Sequence, residues 1–512
     1  MSNFHERLRA LSPQTLQGIR RGIEKESLRV TPDGRLSARP HPAALGAALT
    51  HPHITTDFSE SQLELITGVH TDVEACLDEL RQIHQVVFRS IGDEMLWCAS
   101  MPCYLPADAA IPIGRYGLSN VGRAKTVYRI GLSNRYGSRM QTISGIHYNF
   151  SLPGVSNDEY FALIRNFRRH SWLLLYLFGA SPAVCASFVA GRKHDLQDLR
   201  QGSLYRPFAT SLRMGPLGYQ SDAQSSLAVS YNSLASYGAS LQEALTRPYP
   251  PYEHIGIRSP GAATGGVEDY RQLCTSLLQI ENEFYGTIRP KRVIRQGERP
   301  LHALRERGIE YVEVRCMDLD PFCPIGIDAA TVRFLDVFLL HCLLSDSPPD
   351  TPQEIAALAR NQHRAAARGR EPGLLLERGG EEVSLVEWGG QVAAECAPIA
   401  AALDGVQKNH ACRDALAAAV AALNDAASAP SARVLEEMTR NHEGSYPRLV
   451  LAKSLRHRER LLESPLAPGI EARFAGMAQA SLAEQQRIEA ADTMPFEIYR
   501  QKYLAPERLG NA

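Results

Sequence analysis

Between residues 22 and about 324, apolar positions mostly alternate with polar ones over short runs, and helical spacing appears only between those runs. The pattern predicts an α+β fold with largely antiparallel strands, because the regular strand–helix alternation of a parallel sheet is missing. Four runs read as strands: residues 22–30, 62–67, 145–152 and 308–316. The most apolar stretch, residues 172–188, is interrupted by Gly179, Ser181 and Pro182. It predicts a buried helix, a turn and a second element, and is too short and broken to span a membrane. Residues 246–266 hold Pro248, Pro250, Pro251 and Pro260 among several glycines, which predicts a long surface loop.

A second break, with Pro348, Pro349 and Pro352, divides the chain into a sheet-bearing part, 1–345, and a mostly helical part, 346–512. Alanine is abundant through residues 392–427, and apolar spacings of three and four there predict packed helices with a structural role. Asp350 or Thr351 followed by Pro352 supplies a cap and first turn for the helix that opens this part. No internal repeat is found.

Composition narrows the function. The chain has 512 residues, 44% of them hydrophobic, which is enough for a large core and too apolar for disorder. With 55 basic and 56 acidic residues the net charge is -1, so no overall field exists to hold nucleic acid or an anionic membrane. Ten cysteines without a CxxC pair point to a reducing, cytoplasmic setting and to no obligatory disulfide. Residues 1–12 lack the apolar stretch of a secretory signal, so export is not expected.

The polar faces of the four strands are where chemistry is expected. Residues two apart in a strand project from one face, so Glu24 and Glu26 point together. Alone, that pair more often describes a solvated strand face. Asp57 and Glu64 could converge on one site, with Leu63 and Leu65 turned to the core and Glu60 at the surface. In the third run His147, Asn149 and Ser151 share a face opposite Ile146, Tyr148 and Phe150. A lone histidine there is commonly a satisfied structural residue, yet beside Asn149 it is also a sensible metal or substrate contact. The fourth run sets Tyr311, Glu313 and Arg315 on one face, which is either a plain ion pair or a division of labour between a cation ligand and a phosphate-neutralising guanidinium.

Taken together, the four faces suggest a cup for divalent cations. Magnesium takes oxygen ligands from a few carboxylates and leaves room for nucleotide phosphates, which suits these acids better than a Cys/His zinc site. Neither a Walker-type loop nor a GxGxxG cradle is present.

The runs GIEKESLRV, ALGAALTHPHITTDFSESQLELIT, SMPCY, YRIGLSNRYGSRMQTISGIHYNFSLP, YLFGASPAVCASF, ATSLRMGPLGY, QIENEFYGTIRPKR, GIEYVEVR and AADTMPF strongly resemble proteobacterial glutamate–cysteine ligase, distantly related to glutamine synthetase. The resemblance covers most of the chain and weakens between about 379 and 464. It implies an antiparallel sheet forming a cup, surrounded by helices, that holds ATP and two or three Mg²⁺ ions. Glu26, Asp57 and Glu64 would hold one ion, and Glu24, His147 and Glu313 another, with some carboxylates bridging a third. Glu313 and Arg315 would act on the transferring phosphoryl group. Gln141, Asn149 and Arg213 resemble glutamate-side contacts, Tyr128, Tyr219 and Tyr285 surround the incoming cysteine, and Arg129 would meet its carboxylate. Cys103 is a family-like position, more consistent with a buried thiol than a redox centre.

The implied reaction joins the γ-carboxylate of L-glutamate to the amine of L-cysteine through γ-glutamyl phosphate, the first step of glutathione biosynthesis. Feedback inhibition by glutathione and a monomeric state are further expectations. The alternatives are a related ligase using another small amine, a silent nucleotide or glutamate sensor, and a metallohydrolase, which the scarcity of histidine ligands disfavours.

Overall fold

The computed structural model describes residues 2–218, 222–225, 227–260, 266–295 and 297–510. Seven strands build the central sheet: β1 Arg20–Val30, β2 Ile54–Thr56, β3 Gln62–Ile66, β4 Met95–Leu96, β5 Ile146–Ser151, β6 Ile288–Lys291 and β7 Tyr311–Met317. Their order is β2-β3-β1-β5-β7-β6, with β4 paired to the far end of β1, and every pairing is antiparallel.

Alternation decides which face is covered. Ile23, Leu63, Leu65, Ile146, Tyr148, Phe150, Val312, Val314 and Ile288 are all buried. Each such side chain contributes about 1.5–3 kcal/mol on leaving water. The layer that covers them contains helices α1 Val73–Ser90, α3 Asn157–Phe178 and α4 Ala329–Leu344, while α2 Asn120–Tyr136 packs near the turn after β2. Local signals start these helices. Asp72, Ser119 and Asp328 cap α1, α2 and α4, and Ser156 with Glu159 forms a capping box on α3.

Three polar side chains on the covered face tie sheet to helix. Arg21 pairs with Asp336 of α4 at 2.9 Å, and the Tyr148 hydroxyl donates to the same carboxylate at 2.6 Å. Lys25 donates to His84 of α1 at 2.8 Å, and burial pushes its pKa down to about 8. The predicted break after residue 345 starts α5, Pro352–Arg368, with Thr351 as its cap. Helices dominate from there, but a hairpin, Leu375–Arg378 with Glu381–Ser384, interrupts them. The principal hydrophobic cluster draws on residues from Leu16 to Leu509, so both parts of the chain share one core.

The structure changes two readings. Glu60, expected at the surface, is 9% exposed and accepts hydrogen bonds from the backbone of His41 at 2.9 Å and Arg115 at 2.7 Å, fastening two loops. The 246–266 stretch contains a short helix, Pro250–Ile255, where Pro250 and Pro251 occupy first-turn positions that need no N–H donor; residues 261–265 lie outside the described residues. All ten cysteines are free. Among the described residues no helix is long and apolar enough to cross a membrane.

Candidate active site

Strand register assembles the acids. Glu26 lies directly opposite Glu64 across β1 and β3, and Glu24 opposite His147 across β1 and β5. Asn149 then faces Glu313 across β5 and β7, and Glu313 faces Arg289 across β7 and β6. One ladder therefore runs Glu64, Glu26, Glu24, His147, Asn149, Glu313 over the face that the helices leave open. His147 is central: its Nδ1 is 3.3 Å from Glu24 and 3.8 Å from Glu313, and its Nε2 is 3.5 Å from Glu26. Ligand atoms of Glu24, Glu64 and His147 all lie within 4.8 Å of one another.

Like charges at this spacing repel. Burial, and then Asp57, raise the pKa of Glu26 to about 8, although Arg213, Arg315 and an N–H bond from Gly145 oppose the shift. Burial together with Glu24, Asp57 and Glu26 drives Glu64 well above the carboxylate range. Glu313 behaves oppositely: against burial, Lys291 and Arg315 hold it well below that range. Lys291 Nζ stands 3.0 Å and Arg315 Nη1 3.2 Å from its carboxylate. Burial also opposes ionisation of Glu24, but its bond with His147 brings its pKa below the usual value.

These residues fit a hard divalent cation. The donor set is carboxylate oxygen plus one imidazole, which matches magnesium and manganese. Asn149 Oδ1 is buried without a hydrogen-bond partner among the described residues, and Glu313 Oε2 faces the Arg315 guanidinium. Glu298, His302 and Glu306 also cluster, on and just before the helix Pro300–Arg307, but both carboxylates are already paired with Arg307.

Arg315 shares the face of Glu313, two residues before it, and its N–H extends the β7–β6 ladder by donating to the Thr287 carbonyl at 2.8 Å, while the β7–β5 register shifts beyond Val314. The guanidinium sits beside Glu313 and 3.4 Å from His147 Nδ1.

Arg213 lies just behind it, donating to the Arg315 carbonyl at 2.9 Å and standing 3.7 Å from the buried Asp318. Asp318 in turn accepts from Ala180 N–H and the Ser211 hydroxyl, both at 2.9 Å. The guanidinium passes so close to Gly145 that a Cβ there would meet Nη2 at 2.0 Å, so position 145 has to be glycine for this placement. Asn149 donates to Glu24 at 2.8 Å, which places it in the acidic ladder.

Of the remaining expected substrate contacts, Gln141, expected on the glutamate side, donates at 2.8 Å to the hydroxyl of Tyr285, expected on the cysteine side. Tyr285 N–H donates to Gln224 at 3.1 Å, and Gln224 reaches the Glu283 carbonyl at 2.9 Å. Glu283 is fully buried, pairing with Arg135 at 2.9 Å and accepting from Tyr136 at 2.7 Å. Tyr128 packs in an apolar cluster with Phe58, Val127 and Leu132. Arg129 spends its donors on carbonyls, Nε on Asp57, Nη2 on Thr56 at 3.4 Å and Nη1 on Lys125 at 2.9 Å. Tyr219 lies outside the described residues.

Two cavities flank the ladder. One of about 430 Å³ is lined by Glu24, Asn149, Tyr311, Gly68 and Val293, and one of about 320 Å³ by Arg213, Arg315, Tyr285 and Tyr231.

Sequence reasoning missed Lys291 and Arg289, because Pro290 between them argues against a strand. The structure seats Pro290 in β6, an edge strand, where a missing N–H is tolerated. The two-residue spacing of the two cations was the available signal. Asp318 and Glu283 act through long-range contacts that no local pattern reveals.

The glutamate–cysteine ligase family matches residues 7–365. Glutamate–cysteine ligase of Alcanivorax borkumensis is 46% identical over 98% of each chain, and that of Pseudomonas aeruginosa PAO1 is 48% identical over 94% of each. Among solved structures, glutamate–cysteine ligase of Francisella tularensis in complex with AMP superimposes with a TM-score of 0.90 at 35% identity, over 96% of this chain and 98% of that one. A bifunctional glutathione synthetase from Pasteurella multocida gives 0.71 at 26% identity, over 93% of this chain and 58% of that one.

Proposed function

This chain belongs to the glutamate–cysteine ligase family, and from that premise we propose that the acidic face of the central sheet is where glutamate is activated and cysteine captured. The reaction is the ATP-dependent joining of the glutamate γ-carboxylate to the cysteine amine, the first step of glutathione biosynthesis. ATP and a divalent metal take part.

A γ-carboxylate is a poor electrophile until one of its oxygens becomes a leaving group, and phosphorylation supplies that. Two or three magnesium ions, held by Glu24, Glu26, Asp57, Glu64, His147 and Glu313, would offset charge on the phosphoryl oxygens. Arg315, kept cationic by Glu313, lies where charge builds on the transferring group. Arg213, fixed by Asp318, suits the α-carboxylate of glutamate, with Gln141 and Asn149 completing that side. The nucleotide lies in the 430 Å³ cavity, whose mouth offers Val69 and Val293 as apolar walls. Cysteine enters by Tyr128, Tyr219 and Tyr285, and its amine displaces phosphate through a tetrahedral intermediate.

The sheet-bearing part, 1–345, carries the chemistry and the helical part, 346–512, buttresses it. A cytoplasmic monomer inhibited by glutathione completes the proposal.

The observation that carries the proposal is the register that places four glutamates, a histidine and Arg315 on one face. Coupled ADP release tests it. Release should require Mg²⁺, glutamate and cysteine together and should fall when 2-aminobutyrate or ammonia replaces cysteine. Release indifferent to cysteine, or MgATP binding without turnover for any amine, contradicts it.

A further inference from the structure

The amine side of the site is short of a cation. Cysteine brings an α-carboxylate into a cup whose walls already hold five acids, so a positive group has to meet it. Arg315 and Lys291 are engaged with Glu313, Arg213 with Asp318, and Arg135 with Glu283. Arg129 was expected in that role. Its guanidinium is instead bonded to the carbonyls of Asp57, Thr56 and Lys125, and it stacks 4.4 Å over the Tyr116 ring. Because the Tyr116 hydroxyl bonds the same two carbonyls, Thr56 at 2.7 Å and Asp57 at 2.9 Å, ring and guanidinium together clamp the turn that presents Asp57.

Lys125 stands one helical turn before Arg129 on α2, and residues four apart share a helix face. Its Nζ lies 5.2 Å over the Tyr116 ring and forms no ion pair among the described residues. Its side chain is exposed, and the ring it overlies belongs to the tyrosine that clamps the Asp57 turn, which sets the ammonium at the rim of the cup within electrostatic reach of Glu64. Tyr128, an expected neighbour of cysteine, follows on the same helix.

We propose that Lys125 is the residue that binds the α-carboxylate of the incoming amino acid, and that Arg129 is a positioning residue that fixes the Asp57 turn. The inference rests on the ligase reading above and adds a specificity element to it: an amine substrate has to carry a carboxylate.

The test compares Lys125→Met with the native chain, using cysteine, 2-aminobutyrate and cysteamine, which lacks the carboxylate; cysteamine is read as turnover or as inhibition of cysteine turnover. The expected result is a rise of about tenfold or more in KM for cysteine and 2-aminobutyrate, corresponding to one lost charge-assisted contact. The cysteamine constant and the KM values for glutamate and ATP should stay within about twofold, which also reports an intact fold. Lys125→Arg should recover most of the cysteine KM, and Arg129→Met should lower kcat for all three amines alike. Equal losses for all three amines in Lys125→Met, or an unchanged cysteine KM, overturn the proposal. Absence of cysteine-dependent ADP release in the native chain would instead overturn the ligase reading itself.

Discussion

Magnesium binding should release protons. Glu26 titrates near 8 because burial and Asp57 both disfavour its charge. A carboxyl with that pKa is about nine-tenths protonated at pH 7 and about one-tenth protonated at pH 9. A metal ligand has to be ionised, so binding at Glu26 should expel about 0.9 proton at pH 7 and about 0.1 at pH 9. Burial and three acids shift Glu64 in the same direction, so its ionisation by a bound metal acts with the same sign. The sign follows: below pH 8 protons compete with the metal, and apparent affinity falls by up to about tenfold per pH unit for each proton displaced. Calorimetric Mg²⁺ titration in two buffers of different ionisation enthalpy reads the proton count directly. Glu26→Gln should remove the Glu26 increment and weaken binding. A release near zero at pH 7, or an affinity flat from pH 6 to 8, would refute the picture of mutually repelling acids.

Two substitutions probe the other groups. Arg315→Lys should lower kcat by about 10²–10³, since an ammonium cannot reproduce the planar fork beside Glu313, while Mg²⁺ affinity measured by the same titration stays nearly unchanged. Gly145→Ala should lower thermal stability and raise the glutamate KM by about tenfold, because the new Cβ displaces the buried Arg213 guanidinium from beside Asp318; an unchanged KM would remove Arg213 from the glutamate contact.

Much of the site was legible in the sequence because period-two alternation fixes which side chains share a face. Glu24 with Glu26, His147 with Asn149, and Glu313 with Arg315 all follow from local spacing. Pairing between distant strands does not, and the opposition of Glu26 to Glu64 became visible only in the register. Glu60 misled because an acid in a turn reads as solvated, whereas two backbone N–H groups bury it. Pro290 hid an edge strand. The hairpin 375–384 went unseen since its alternation spans only four residues on each arm. Arg129 shows the limit of residue type: its bonds to the carbonyls of Asp57, Thr56 and Lys125 are contacts that no spacing in the sequence announces.

Anomalous scattering from crystals grown with Mn²⁺ in place of Mg²⁺ tests most directly whether these acids coexist by sharing a cation. The account predicts strong peaks inside the cup, within ligating distance of Glu24, Glu26, Glu64, His147 and Glu313. Manganese confined to the cluster of Glu298, His302 and Glu306, with none in the cup, would contradict it.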